Sequence, residues 1–194
     1  MKRKIMETGI LLFDKNGFKS TSVQDIVQEL GVTKGTFYYY FSSKEELLKE
    51  IHLLYIESII KQQEEIMNNP FYDFAKKLHE IILMQISTIR IELRSARIFT
   101  REMRHLSRDN FLEIKEKRSA FRHNVQKLIE EGITQGILQK GRADIITMAI
   151  LGMTNWSYYW FSPEGEVPEE KVADIFLDLI LNGISNDSVY TPNI

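Results

Sequence analysis

The chain contains no cysteine, which excludes disulfides and thiolate metal sites. That composition suits a reducing compartment, and a cytoplasmic protein is expected. Only four prolines and ten glycines occur among 194 residues, too few turn formers for a β-rich fold. No stretch approaches the ~18 uninterrupted apolar residues of a membrane span. The basic start, MKRKIMETGILLF, has an apolar stretch interrupted by Glu7 and no small-residue cleavage site behind it. It does not read as a signal peptide, and no membrane partner is expected. An excess of charge of one sign is missing as well: the formal net charge is −2, so any contact with nucleic acid must be local.

Catalytic signatures are also missing. His52, His79, His105 and His123 are widely separated, and no H-E-x-x-H, phosphate-binding glycine loop or nucleophile motif occurs. The adjacent acids Glu64 with Glu65, and Glu130 with Glu131, diverge on a helix rather than share a site. Neither an enzyme nor a metal or cofactor is expected.

What is present is helical periodicity along almost the whole chain. Ile5, Gly9, Leu12 and Phe13 share one face of a first helix, which Gly17 can stop. Val23, Ile26, Val27 and Leu30 follow i, i+3, i+4, i+7 in a second, about two turns long. Ser22 and Asp25 resemble a capping box for it, and Gly31 suits its C-terminal cap. Thr33 can cap a third short helix reaching Phe41, and Ser43 with Glu46 makes a capping box for a fourth that runs to about residue 68. Pro70 suits the first turn of a helix ending near Arg90, with another helix over about 92–105. Further helices are expected over about 108–136, from Asp144 to about residue 161, and from Pro168 onward, with a frayed tail at 186–194. The fold class is therefore all-α: a three-helix N-terminal domain over residues 1–50, joined by a long helix to a helical domain over 51–194.

Two short helices joined by a glycine-containing turn form a helix-turn-helix candidate. With Phe37 at the centre of the buried face of the third helix, Phe41 lies near it at 100° per residue. Gly35 and Tyr39 then point away, Thr36 and Tyr38 lie on the flanks, and Tyr40 turns back toward the core. Exposed aromatics beside Lys34 and a glycine suit a DNA groove: a tyrosine hydroxyl can bond a phosphate, and its ring can lie on sugar or a thymine methyl. The alternative is that Tyr38 to Tyr40 cover an apolar seam between helices. Residues 1–50 carry eight basic against seven acidic side chains, so affinity for DNA would come from the placement of Lys2, Arg3, Lys4, Lys34 and Lys44. For the first three, a solvated tail is the equal alternative.

These residues resemble the DNA-binding domain of the TetR family of transcriptional regulators. The resemblance is carried by FDKNGFKSTSVQDI (13–26), GVTKGTFYYYF (31–41) and KEEL (44–47). It implies that the third helix is a recognition helix. Lys34, Gly35, Thr36, Tyr38 and Tyr39 match DNA-touching positions in relatives, Lys44 matches a phosphate-contacting lysine, and Thr21 and Ser22 match backbone-contacting positions. Gln24 stands where many relatives have arginine, which favours adenine over guanine for a base contact there. The resemblance further implies a homodimeric, ligand-responsive repressor that binds a palindromic operator in double-stranded DNA. The alternative is a helical interaction protein of the same fold without operator binding.

The second domain gives less. GMTNWSYYWFSPEG (152–165) and ADIFLDLILNGI (173–184) are similar to a branch of the family that binds acyl-coenzyme A esters. Tyr159 stands where that branch often carries a basic residue, so an aromatic-lined apolar cavity is the inference kept. Its candidate lining is Phe74, Met84, Phe99, Met103, Phe121, Met148, Asn155, Trp156 and Tyr159, with ordinary core packing as the alternative for each. The effector expected is a small apolar molecule or an acyl-CoA. Arg90, Arg94, Arg97, Arg101 and Arg104 recur at helical spacing. The stripe either receives an anion or is solvated and paired with acids such as Glu92 and Glu102. The apolar segment 145–161 and the face made by Ile175, Phe176, Leu179, Ile180 and Ile184 are expected to pair with their copies in a four-helix dimer interface, the alternative being a monomer core.

Overall fold

A computed structural model describes residues 1–183. Ile184 and the tail at 186–194 lie outside the described residues. The described chain forms α1 (Lys2–Asn16), α2 (Val23–Leu30), α3 (Lys34–Tyr40), α4 (Lys44–Met67), α5 (Phe74–Arg101), a 3-10 turn (Met103–His105), α6 (Arg108–Thr134), α7 (Ala143–Trp160) and α8 (Glu169–Asn182).

The three short helices are punctuated by their sequence. Gly17 ends α1 at a φ of 81°, and Gly31 ends α2 at a φ of 65°, both unfavourable for a side chain bearing Cβ. Ser22 Oγ accepts from Asp25 N at 3.1 Å while Asp25 Oδ2 accepts from Ser22 N at 2.7 Å, a reciprocal capping box. The amide and the hydroxyl of Ser22 both donate to the Asp25 carboxylate and hold its pKa below the ordinary value, the backbone bond foremost. The start of α4 differs in detail from the expected box. Ser43 Oγ accepts from Glu46 N at 3.0 Å, but the Glu46 carboxylate reaches back to the amide of Ser42 rather than of Ser43. Around these helices Ile5, Phe13, Ile26, Phe37, Phe41, Leu47 and Leu48 form one fully buried core.

A second core fills the space between α4, α5, α6, α7 and α8. Helix α4 serves both: Ile51 packs in the first core, Tyr55, Ile56 and Ile59 in the second. Gln63, wholly buried on α4, donates to the Phe121 carbonyl at 3.0 Å and accepts from Asn124 at 3.0 Å, which fixes α4 against α6.

Helix α5 corrects the sequence expectation. It starts at Phe74 because Asp73 Oδ1 accepts from Lys76 N at 2.8 Å, leaving Pro70 in the preceding turn. The two helices expected on either side of Glu92 are joined, and the expected break survives as a kink: Glu92 has φ −130° and ψ 37°. Helix α8 begins one residue later than expected, with Pro168 as its cap.

Candidate DNA-reading surface and effector cavity

Phe37 anchors α3, fully buried, and Phe41 just past its end is 1% exposed. The rest of the helix is turned outward. Tyr39 is 81% exposed and Tyr38 is 53% exposed; Lys34 and Gly35 are exposed beside them, Thr36 is half-buried and Tyr40 folds back. Thr33 starts the helix by accepting from Thr36 N at 3.2 Å. A Cβ added to Gly35 would meet only Thr33 Oγ1, at 3.6 Å, an ordinary contact. Nothing inside the protein requires glycine there.

Gln24 and Ser22 are exposed on α2 and at its cap. Thr21 is not: it is 1% exposed, and its hydroxyl donates toward the carbonyls of Gly17 (3.0 Å) and Leu12 (3.2 Å). Its side chain braces the turn rather than facing outward. Lys44 is committed in part. Its ammonium donates to the carbonyls of Phe18 (2.6 Å) and Thr21 (2.5 Å) and lies 4.2 Å from the centre of the Phe18 ring. One of its three N–H donors is left over. Burial pushes its pKa down, and Asp25 opposes the shift.

A cavity of about 610 Å³ opens between α4, α5, α6 and α7. Of the nine expected lining residues, Phe99, Met103, Phe121, Met148 and Asn155 do line it. Phe74, Met84, Trp156 and Tyr159 do not. Phe74 is packed against Gly132, where an added Cβ would stand 2.4 Å from its ring. Met84 is buried in the core on the neighbouring face of α5. Trp156 and Tyr159 pack at a tilt, ring centres 4.8 Å apart, on the outer face of α7, 63% and 55% exposed. The residue turned inward is Tyr158. Counting along an almost wholly apolar helix gives no signal for which face is inside, and the sequence reading missed by one residue.

The sequence reading also missed the cations. Lys115, Arg118 and Arg122 line the cavity from one face of α6, at helical spacings of three and four. That spacing is visible in the sequence, as is that of Arg90, Arg94, Arg97 and Arg101 on α5 and Arg104 in the 3-10 turn. Those five divide at the kink: Arg90 makes a two-pronged pair with Glu169 at 2.9 Å, Arg97 pairs with Asp14 at 3.5 Å, and none lines the cavity. Their acids are not Glu92 or Glu102. Arg118 is held differently. It has no carboxylate partner among the described residues; it donates to Met103 Sδ at 3.1 Å and its guanidinium lies 4.9 Å from the centre of the Phe99 ring. The residue as a whole is exposed, but partial burial of its guanidinium pushes the pKa down, and Tyr55 opposes the shift.

Beneath the cavity lies His52 on α4, fully buried, neither ring nitrogen bonded, 5.3 Å from Phe99. Burial first, and the Arg118 charge second, push its pKa down to about 4.

The cavity wall and the reading domain share one strip of chain. Ala96, Phe99, Thr100, Met103 and Phe111 face the cavity. On the other side of the same strip, Arg97 meets Asp14 of α1, Ile98 packs into the first core, and His105 stacks on Phe18 at 5.5 Å. Glu45 of α4 accepts from Ser107 N and Asn110 Nδ2, both at 2.7 Å. Phe18 is thus touched by His105 and by Lys44.

Residues 5–51 match the family described as bacterial regulatory proteins, tetR family, and residues 73–184 match the tetracyclin repressor-like C-terminal domain. The TetR-family regulator PfmR from Thermus thermophilus has a similar structure: TM-score 0.86, 30% identity, covering 94% of this chain and 99% of that one. The transcriptional repressor KstR2 of Rhodococcus jostii is 24% identical over 187 residues, 95% of this chain and 91% of that one. AibR, crystallised with isovaleryl coenzyme A and operator DNA, shares the fold at TM-score 0.84 and 22% identity, over 93% and 97% of the two chains.

Proposed function

Because the chain belongs to the TetR family of ligand-responsive transcriptional repressors, we propose that it binds a palindromic operator as a homodimer and leaves it when an anionic amphiphile of the acyl-CoA type fills the α4–α7 cavity. The reading places it in the cytoplasm, at the chromosome. The observation that carries the DNA half is Gly35: a glycine on an exposed helix, flanked by Lys34, Tyr38 and Tyr39, that no internal contact demands. Close approach of a second molecule supplies the missing reason. Two such helices, one per protomer, would enter successive major grooves about 34–36 Å apart.

Arg118 carries the effector half. Arg118 is exposed at the open cavity and has no carboxylate partner among the described residues, so its guanidinium is left with a demand for an anion there. Lys115 and Arg122 on either side extend that demand along the cavity, while Ile56, Ile59 and Leu151 offer the apolar end. The pairing of isovaleryl coenzyme A with operator DNA in AibR supports the same class of effector. Release requires that the ligand bind one arrangement of the strip at 96–111 better than the other.

The test is a binding titration with duplex DNA from upstream of the gene. Lys34→Ala and Tyr38→Ala are expected to weaken binding about tenfold or more while size-exclusion light scattering still reports a dimer. Lys34→Ala should also lower the salt slope by about one. Unchanged affinity in both variants would overturn the reading. Decanoyl-CoA is expected to displace the DNA from the wild type and to do so less effectively from Arg118→Met.

A further inference from the structure

The reading domain is short of cations for a DNA contact. Residues 1–50 carry eight basic and seven acidic side chains. Several of the eight are already engaged. Lys2 pairs with Glu50 (2.9 Å), Arg3 with Glu7 (3.4 Å) and Lys49 with Glu113 (2.7 Å), while Lys44 donates to two carbonyls. Affinity for a duplex grows with the number of phosphates neutralised, so cations from elsewhere on the chain would have to contribute.

Three such cations stand where the reading domain meets the strip at 96–111. Phe18 stacks on His105, a Cβ on Gly17 would lie 3.9 Å from Glu102 Oε1, and Glu45, next to Lys44, accepts from Ser107 and Asn110. The loop after α1, the 3-10 turn and the starts of α4 and α6 thus form one shoulder. Two of its acids are engaged: Glu45 holds those two donors, and Glu102 is buried 3.3 Å from His105 Nε2. Its cations are turned outward. Lys19, Arg104 and Arg108 are exposed and have no carboxylate partner among the described residues; Arg104 makes one long bond, 3.4 Å to the His105 ring. Against these three stands one exposed acid, Asp109. In a chain of net charge −2, this is a local excess.

We propose that Lys19, Arg104 and Arg108 form a second DNA contact, on the phosphate backbone beside the phosphate that Lys44 would hold, so that the effector domain itself touches the operator duplex. A guanidinium forks onto phosphate oxygens, and a lysine neutralises one as a point charge. The contact is blind to sequence: it adds affinity and salt dependence and leaves the choice of bases to α3. It rests on the reading of the protein as an operator binder and extends that surface beyond the helix-turn-helix.

Lys19→Gln, Arg104→Gln and Arg108→Gln in the full chain, singly and combined, test it by titration with the upstream duplex and by phosphate-ethylation interference. The combined variant is expected to bind operator and unrelated duplex alike about tenfold or more weakly at physiological salt, each substitution lowering the salt slope by about 0.9 per protomer. Melting temperature and dimer should be unchanged, since none of the three side chains is buried. Some phosphates whose ethylation blocks the wild type should cease to matter to the combined variant. An unchanged interference pattern would show cations that act at a distance or stay in solvent, and would overturn the contact; so would unchanged affinity and slope. Lys34→Ala in parallel separates the two readings. If it weakens binding and the shoulder variants do not, this inference falls and the operator reading stands. If the shoulder variants lose phosphates and Lys34→Ala changes nothing, the reading of α3 falls and this contact stands. If no duplex binds, both fall.

Discussion

At the scale of single residues, the side chains that carry chemistry are those whose surroundings do not satisfy them. His52 is one. Its folded pKa of about 4 lies below the ordinary 6.5, so the unfolded chain takes up a proton before the folded one does. Its contribution to stability is intact above pH 6.5 and is lost as pH falls toward 4. Between pH 7.5 and 5 the wild type should lose about 2 kcal/mol through this group, read by urea unfolding at the two values. His52→Leu should lose correspondingly less; an identical loss would show that His52 does not titrate as its burial demands. Gly35 is another. Gly35→Ala is expected to raise stability by about 0.5–1 kcal/mol through helix propensity and yet to weaken operator binding. Parallel thermal melts and DNA titrations would show a residue kept for what it touches outside the protein. The outward set at Lys34, Gly35, Tyr38 and Tyr39 was legible in the sequence, because Phe37 and Phe41 fix which way a short helix faces. Thr21 was not: in a loop, nothing in the residue order says that its hydroxyl turns in to two carbonyls.

Among the elements, α5 shows how local signals and packing divide the work. The sequence marks a break near Glu92, and the backbone does deviate there, yet the helix continues to Arg101. Burial holds the Glu92 carboxyl above its ordinary pKa. Packing on both sides, Ile82, Ile86 and Ile89 before the kink and Ala96, Ile98 and Phe99 after it, keeps the two halves joined. Such contacts join residues distant in sequence, which is why helix ends at 22, 31 and 43, set by neighbouring residues, could be read while the register of α7 could not. The α5–α6 contact gives a sharp prediction. Gly132→Ala puts a methyl 2.4 Å from the buried Phe74 ring and should destabilise the fold by about 1–3 kcal/mol. Phe74→Leu in the same chain should recover part of the loss, measured by chemical unfolding.

For the whole molecule, the outer face of α7 is the least settled surface. Ile145, Trp156 and Tyr159 recur along it at helical spacing, each more than half exposed, and Ile175 of α8 is 51% exposed. An aromatic and aliphatic stripe of that length is the kind of surface a second copy covers. Trp156→Glu, alone or with Ile175→Glu, should shift the protein toward monomer in sedimentation and lower operator affinity without touching α3. A dimer that survives both would put the interface elsewhere. Which residues of the second core face the cavity was not legible, because that depends on four helices closing around one space.

The two-sided strip between residues 96 and 111 has a bearing on how such a regulator could acquire a new taste. Replacements at Phe99 or Met103 would reshape the chamber and, in the same stroke, disturb Ile98 or Glu102 behind them, so altered inducer choice there should arrive with leaky or locked expression. Positions on the opposite wall, Lys115 and Asn155 among them, are free of that entanglement and offer the route by which selection or an engineer could retune the inducer while the off state stays as tight as before.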